Sequence, residues 1–150
     1  MLLTLLIGSL ALVINMMIQV VGIVLVLGYL LRHLDDHRSA SGFRTETSVL
    51  GILVLALFAG HLLQFAIWAL LFVQLGEFTD FNLAFYHSVV NFTSLGYGDV
   101  VMSEKWRLLG GLEAANGILM FGLSAGALLA TMTRLFRKRA GVSEPPEIAI

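Results

Sequence analysis

The amino-acid sequence predicts an all-α membrane protein: three transmembrane helices per subunit, and one short re-entrant helix leading into a glycine-containing loop. Two observations carry that prediction. Of the 150 residues 58% are hydrophobic and only 13% are charged, about half the roughly 25% charged share of a soluble domain. The charges are also segregated. Met1 to Leu31, Thr47 to Gly76 and Leu108 to Thr133 together contain one Asp, Glu, Lys or Arg, which is Glu113. At 1.5 Å per residue each stretch exceeds the ~30 Å of a bilayer's hydrocarbon core.

The first stretch, residues 1–31, reads as an additional N-terminal span. A signal peptide is the competing reading, but it lacks a basic leading region, is too long and is followed by no small-x-small cleavage site. Residues 32–46 form a charged loop. The second span, 47–76, is interrupted only by His61. Phe81 to Gly98 contains no Asp, Glu, Lys or Arg, yet is too short to cross the membrane and return as two helices. It is expected to re-enter: a short helix at 81–92, capped by Asp80 or Asn82, then an extended segment at 93–99. The third span covers 108–133, and a short basic tail covers 134–150.

Thr93-Ser94-Leu95-Gly96-Tyr97-Gly98-Asp99 is the most informative run in the chain. A pore that strips water from a cation must offer stacked rings of carbonyl oxygens. Successive carbonyls face one axis only when alternate residues are left-handed, and Gly96 and Gly98 adopt that conformation without steric cost. An ordinary glycine turn would explain Gly-x-Gly alone, not the whole run between helix-length apolar segments.

With those residues in place, Phe81 to Thr133 resembles the pore module of tetrameric potassium channels, particularly small bacterial ones. Trp106-Arg107 and Gly117-Ile118-Leu119-Met120-Phe121-Gly122-Leu123 are similar to the start and the glycine-containing middle of the family's inner helix. The resemblance implies a module at 47–133, with outer helix 47–76, pore helix 81–92, filter 93–99 and inner helix 108–133. It implies potassium sites on Thr93, Ser94, Leu95, Gly96, Tyr97 and Gly98, with Asp99 and Trp106 as filter supports. Gly117 is the implied hinge, and Ile118 and Phe121 lie near the implied cavity wall. One pore segment per chain supplies a quarter of each carbonyl ring, so a homotetramer is expected. Potassium is then the permeant ion and the only metal, with no other cofactor and no small-molecule substrate.

Orientation follows from the basic residues. Arg32, Arg38, Arg44, Arg134, Arg137, Lys138 and Arg139 fall on one side and only Lys105 and Arg107 on the other, so loop and tail are expected in the cytoplasm and the amino terminus outside a plasma or bacterial inner membrane. Glu77, Asp80, Asp99 and Glu104 then surround the outer mouth. The basic tail suits anionic lipids, although ordinary anchoring already accounts for it. Nine basic and ten acidic residues nearly cancel, and no nucleic-acid surface is visible. The absence of cysteine excludes disulfides and thiolate chemistry. No nucleophile, base and oxyanion arrangement suggests an enzyme.

The sequence departs from the family pattern in three places. Ser94 and Leu95 replace the commoner threonine and valine. Val90 stands where several bacterial pores have a carboxylate behind the filter, leaving Asp99 to bond Trp106 or remain hydrated. The first span has no arginine repeat, which excludes a voltage sensor of the arginine-helix type. A weakly selective cation channel and a non-conducting regulatory subunit are the alternative functions.

Several polar residues inside the spans need an explanation. Gly8, Leu12, Asn15, Gln19 and Gly22 fall on one helical stripe, and His61, Gln64 and Trp68 share a face, so an interhelical hydrogen-bond clamp between Asn15 and His61 is expected. A proton sensor at His61 is the less economical reading. Glu113 is either a structural brace or a pH gate, bonded to Tyr86, His87 or Asn91, with Asn116 on the same face. His33, Asp35, Asp36 and His37 read as a solvated loop rather than a metal site. Gly122, Gly126 and Ala130 form a small-residue stripe suited to close packing, and Pro145-Pro146 marks a polar tail.

Overall fold

The computed structural model describes residues 1–36 and 42–140. Four helices follow in order: α1, Leu2–Asp36; α2, Phe43–Gln74; α3, Phe81–Phe92; and α4, Arg107–Arg139. Among the described residues there is no strand. Three helices are long and apolar enough to cross a membrane, over Leu2–Leu30, Phe43–Gln74 and Arg107–Arg137.

The long helices overrun the uncharged stretches. α1 continues to Asp36 and α2 begins at Phe43, which shortens the loop expected over 32–46; α4 continues to Arg139, so the tail expected from 134 starts as helix. The end of an uncharged stretch marks the edge of the hydrocarbon layer, whereas Arg, Lys and Glu are good helix formers that carry a helix beyond it. His33, Asp35 and Asp36 thus belong to the end of α1 rather than to a loop. His37 and the Pro145-Pro146 tail lie outside the described residues.

α3 is held between α2 and α4 by an aromatic core. Phe65, Trp68 and Phe72 of α2, Phe92 of α3, and Leu109 and Met120 of α4 are all buried in one cluster. Phe65 meets the Phe92 ring edge-on at 5.0 Å. A second cluster, Leu30, Val49, Leu53, Leu57 and Leu135, joins α1, α2 and α4 at the other end. There Arg139 lies 3.7 Å from Glu46. At the α3 end, Glu77 accepts hydrogen bonds from the Ser103 amide and from its hydroxyl, the latter at 2.7 Å. The segments before and after α3 therefore meet, which makes α3 a re-entrant element.

α1 crosses α4 at Gly8, where a Cβ would stand 2.4 Å from Leu112 Cδ1. Further along, a buried polar ring ties three helices together. Gln64 Nε2 donates to Gln19 Oε1 at 2.8 Å and to the Asn15 carbonyl at 3.3 Å, and Gln19 Nε2 donates to Ser124 Oγ at 2.7 Å. His61 lies 3.2 Å from Gln64 Oε1 through Nδ1 and 3.1 Å from Ser124 Oγ through Nε2. An amide oxygen only accepts, so Nδ1 carries the hydrogen and Nε2 is left to accept from the hydroxyl. This is an interhelical clamp, but not the Asn15–His61 pair expected: Asn15 contributes its backbone carbonyl, and its side-chain amide has no partner. Of the expected stripe, Gly8, Asn15 and Gln19 are buried, Leu12 is half-buried and Gly22 is exposed; Thr4 and Ala11 complete it.

Because both bonds share one hydroxyl, Gln19→Leu and Ser124→Ala should each destabilise the subunit by ~0.6 to 2 kcal/mol. Their combination should cost less than the sum. Unfolding in detergent with increasing denaturant measures the cycle, and additive losses would show that the ring is not one unit.

Candidate functional site

Asp80 caps α3, its Oδ2 accepting the Leu83 amide at 3.2 Å, so one of the otherwise unpaired first-turn N–H groups has a partner and the helix starts sharply. α3 ends as abruptly. Thr93 is its C-cap, and the Thr93 hydroxyl donates back to the Val89 carbonyl at 2.7 Å. From there the backbone alternates: Ser94, Gly96 and Gly98 have φ of 58°, 61° and 76°. A Cβ at Gly96 or Gly98 would meet nothing within 4 Å, so conformation rather than crowding calls for glycine. The third left-handed position is Ser94, expected as an ion site but not as a left-handed residue; an L-residue there costs roughly 1 to 2 kcal/mol.

The amides of this segment turn back onto α3. Ser94 N donates to the Asn91 carbonyl at 2.8 Å, and Leu95 N and Gly96 N donate to the Val90 carbonyl at 3.0 and 3.3 Å. In a trans peptide the N–H and the preceding C=O point in opposite directions. The carbonyls of Thr93, Ser94 and Leu95 therefore point away from α3. All seven residues from Thr93 to Asp99 are exposed on the single subunit.

Past the glycines the chain is pinned from two sides. Asp99 accepts the Tyr86 hydroxyl at 2.6 Å and the Val100 amide at 3.0 Å. The bond from Tyr86 holds the Asp99 carboxyl below its ordinary range. His87, one residue along α3, lies 3.1 Å from the Val100 carbonyl through Nδ1 and 2.8 Å from Asn91 Nδ2 through Nε2. Trp106, expected to support Asp99, instead sits in the aromatic core with Lys105 Nζ 4.8 Å above its ring. The Tyr86 hydroxyl, thirteen residues before Asp99 on the adjoining helix, already supplies the hydrogen bond.

A family model described as an ion channel matches residues 51–134, more than half of the chain. The chain belongs to the ion-channel family. The match takes in most of α2, all of α3 and the glycine loop, and most of α4; α1 lies outside it. Over 63 residues, 41% of the chain, the channel is 29% identical to the potassium voltage-gated channel protein Shal of Drosophila melanogaster, and it spans only 11% of that protein's length. No solved structure matches.

In α4, Gly117 has a role that needs no bend. A Cβ there would stand 1.8 Å from the Phe92 carbonyl oxygen and 2.9 Å from Phe92 Cδ1, so the absence of a side chain lets α4 touch the C-terminal end of α3. The helix runs unbroken through this point. Ile118 and Phe121 are both exposed on the subunit surface, and the Phe121 ring also packs against His61 at 4.6 Å and Phe92 at 5.8 Å. His61 belongs to the polar ring and not to the loop. Glu113 is fully buried against α3, facing Ser88 and Asn91, while both its oxygens and Ser88 Oγ lack a partner within hydrogen-bond distance.

Two outcomes follow for the channel. Gly117→Ala should destabilise the folded subunit by about 1 to 3 kcal/mol, since backbone at Phe92 cannot yield as a side chain would; an assembled, equally stable variant with altered opening would restore a hinge role. Tyr86→Phe should weaken the glycine loop, reducing sustained ion flux at neutral pH, while Trp106→Phe should leave the Asp99 bond intact. A carboxyl held below its ordinary range lends its support above that range and loses it as pH falls through the lowered value. Acidification well below pH 4, near the ordinary aspartate value of about 3.9, should therefore reproduce the Tyr86→Phe effect.

Proposed function

We propose that the protein is a homotetrameric channel that conducts potassium passively across a cell membrane, with the amino terminus outside and the carboxyl terminus in the cytoplasm. The alternation of left-handed backbone at Ser94, Gly96 and Gly98 carries this reading. It lets consecutive carbonyls share one direction, and oxygens stacked in that way replace the hydration shell of K⁺. Thr93 to Gly98 then supply the ion sites through their carbonyls, with the Ser94 hydroxyl beside them. The end of α3 adds its negative dipole, which favours a cation there. Likeness to a protein named as a potassium channel supports the choice of ion.

Exposure of the same segment supports the assembly. Non-helical backbone at membrane depth persists only where protein or an aqueous cavity covers it, and in one subunit Thr93 to Asp99 is open. Four copies around an axis would cover it and close each ring. The exposed Ile118 then faces the axis below the filter, and the bundled α4 helices line the way out. Voltage sensing of the arginine-helix type is not part of the reading, since Leu2–Leu30 carries no charge.

Reconstitution tests it. With K⁺ inside and Na⁺ outside, the purified protein in a planar bilayer should reverse near the K⁺ equilibrium potential. Gly96→Ala should collapse that selectivity, because a methyl group strains the left-handed position. A wild-type reversal near zero would make it a weakly selective cation channel, and no current across pH and voltage would make it a non-conducting subunit.

A further inference from the structure

A groove runs lengthwise between α1 and α4 and opens on the subunit surface. It has a volume of about 750 Å³, reaches from Leu12 to Leu27 on α1, and is lined throughout by Leu, Ile, Val, Met, Ala and Gly. Sites that bury a ligand occupy roughly 300 to 1,000 Å³. The two helices stay side by side along its length. Gly8 meets Leu112, Gln19 bonds Ser124, and Leu30 shares a core cluster with Leu135, so equal steps along each helix keep the register. The α4 wall is low because Gly122 and Gly126 stand in it, and a Cβ on either would meet nothing within 4 Å.

The groove ends in positive charge. Leu119, Leu123 and Gly126 follow one another at helical spacing, and the same stripe continues through Ala130 to Arg134 and Arg137. Both arginines are exposed. Leu27 comes eight residues after Gln19 and Met132 eight after Ser124, so Arg134 and Arg137 lie about 3 and 7.5 Å beyond the end of the groove. Arg32, also exposed, shares the depth of Arg137 by the same register. Asp35 and Asp36 come about a turn later in α1. Arg139 is turned about 200° round α4 from Arg137 and lies 3.7 Å from Glu46, so that carboxylate is engaged away from the stripe.

Ordinary anchoring asks only that basic residues lie on one side of the membrane, not that they continue a groove. Within the hydrocarbon layer an apolar groove takes either an acyl chain or a neighbouring helix. Copies arranged around an axis normal to the membrane present each residue at one depth, so a second copy's α4 would set its own Arg134 and Arg137 against these two. An anionic headgroup meets them with opposite charge. We propose that the α1–α4 groove binds one anionic phospholipid of the cytoplasmic leaflet per subunit, its acyl chain along Gly122 and Gly126 and its phosphate on Arg134 and Arg137. The choice of leaflet rests on the orientation proposed above, and the site itself does not. Consecutive helix positions diverge by about 100°, so Leu119 faces the flank of the subunit when Ile118 faces the axis. A chain seated there touches both helices that Gln19 and Ser124 join, and it stabilises that pair by mass action.

Native mass spectrometry of the purified protein, titrated with phosphatidylglycerol or phosphatidylcholine carrying the same acyl chains, tests the proposal without any current. The wild type should retain one phosphatidylglycerol per subunit under conditions that strip phosphatidylcholine. Arg134→Gln and Arg137→Gln should each cut the preference for phosphatidylglycerol roughly fivefold, the factor that corresponds to ~1 kcal/mol for a basic residue near anionic lipid. Gly126→Leu, whose side chain fills the groove, should weaken both lipids alike. The wild type should also unfold at a higher temperature in phosphatidylglycerol than in phosphatidylcholine, with no such shift from inorganic phosphate, which has the charge without the chain. Equal retention of the two lipids by the wild type would overturn the proposal. So would a full preference in Arg137→Gln combined with Phe136→Arg, where the charge is kept but leaves the stripe. Unchanged lipid retention with a smaller oligomer in Gly126→Leu would overturn it as well, and would give the groove to a second copy. A protein that retains phosphatidylglycerol in this way yet passes no potassium would overturn the channel reading alone.

Discussion

The structure of this channel depends on the Val90 carbonyl, which accepts the amides of both Leu95 and Gly96. Backbone that leaves a helix at membrane depth has to satisfy its N–H groups, yet a conduction path needs the C=O groups of the same residues unspent. Folding the amides back onto the last turn of α3 meets both requirements, provided α3 stops at Phe92 and the next residues alternate in handedness. That in turn requires the end of α3 to stay at one depth. Phe92 provides the fixing, with its carbonyl seated on the bare backbone of Gly117 and its ring between Phe65 and Phe121. A glycine on the inner helix is thus explained by what it touches.

α1 is coupled to this unit by a different kind of interaction. In lipid an apolar helix gains little from leaving its neighbours for the tails, so small residues and hydrogen bonds decide where it rests. Gly8 lets α1 approach α4, and the Gln19, His61, Gln64 and Ser124 ring fixes rotation and register where Phe121 also packs. Ser124 is the hub. Its hydroxyl accepts from Gln19 and has one hydrogen to divide between His61 Nε2 at 3.1 Å and the Met120 carbonyl of its own helix at 3.0 Å. Any movement of α4 relative to α2 has to break or carry these bonds, so the additional span restrains the inner helix directly.

The helices and the re-entrant segment were legible in sequence because their signals are local. Uncharged length, an Asp80 cap and a glycine-spaced loop each act within a few residues. Contacts between elements were not. Asp99 has two aromatic donors within reach in sequence terms, and only the placement of α3 beside the loop decides for Tyr86 over Trp106. Ser124 is one small polar residue among apolar ones, and nothing in its neighbours marks it as the partner of His61. Gly117 looks like a hinge and like a contact point in any sequence, since flexibility and small size come in the same residue. Ser94 was read as an ion site in place of the commoner threonine, while its backbone carries a third left-handed turn that residue type disfavours. Local preference yields there to the backbone geometry of the loop.

Tyr86 and His87 show how the channel manages without an acid at Val90. Consecutive helix positions diverge by about 100°, so one side chain of the pair reaches the open face and the other the core. Tyr86 holds Asp99 from outside and His87 holds Val100 from inside. Two adjacent loop residues are thereby bonded to two adjacent helix residues, and the loop's amides are already bonded to the same helix at Asn91 and Val90. The glycine loop and α3 therefore form one body, closed at both ends by α3. A body built in this way transmits displacement of α3 to both ends of the loop. The surfaces on which α3 rests, Gly117 and Glu113 of α4 and the aromatic face of α2, are then the places where the position of α4 reaches the loop.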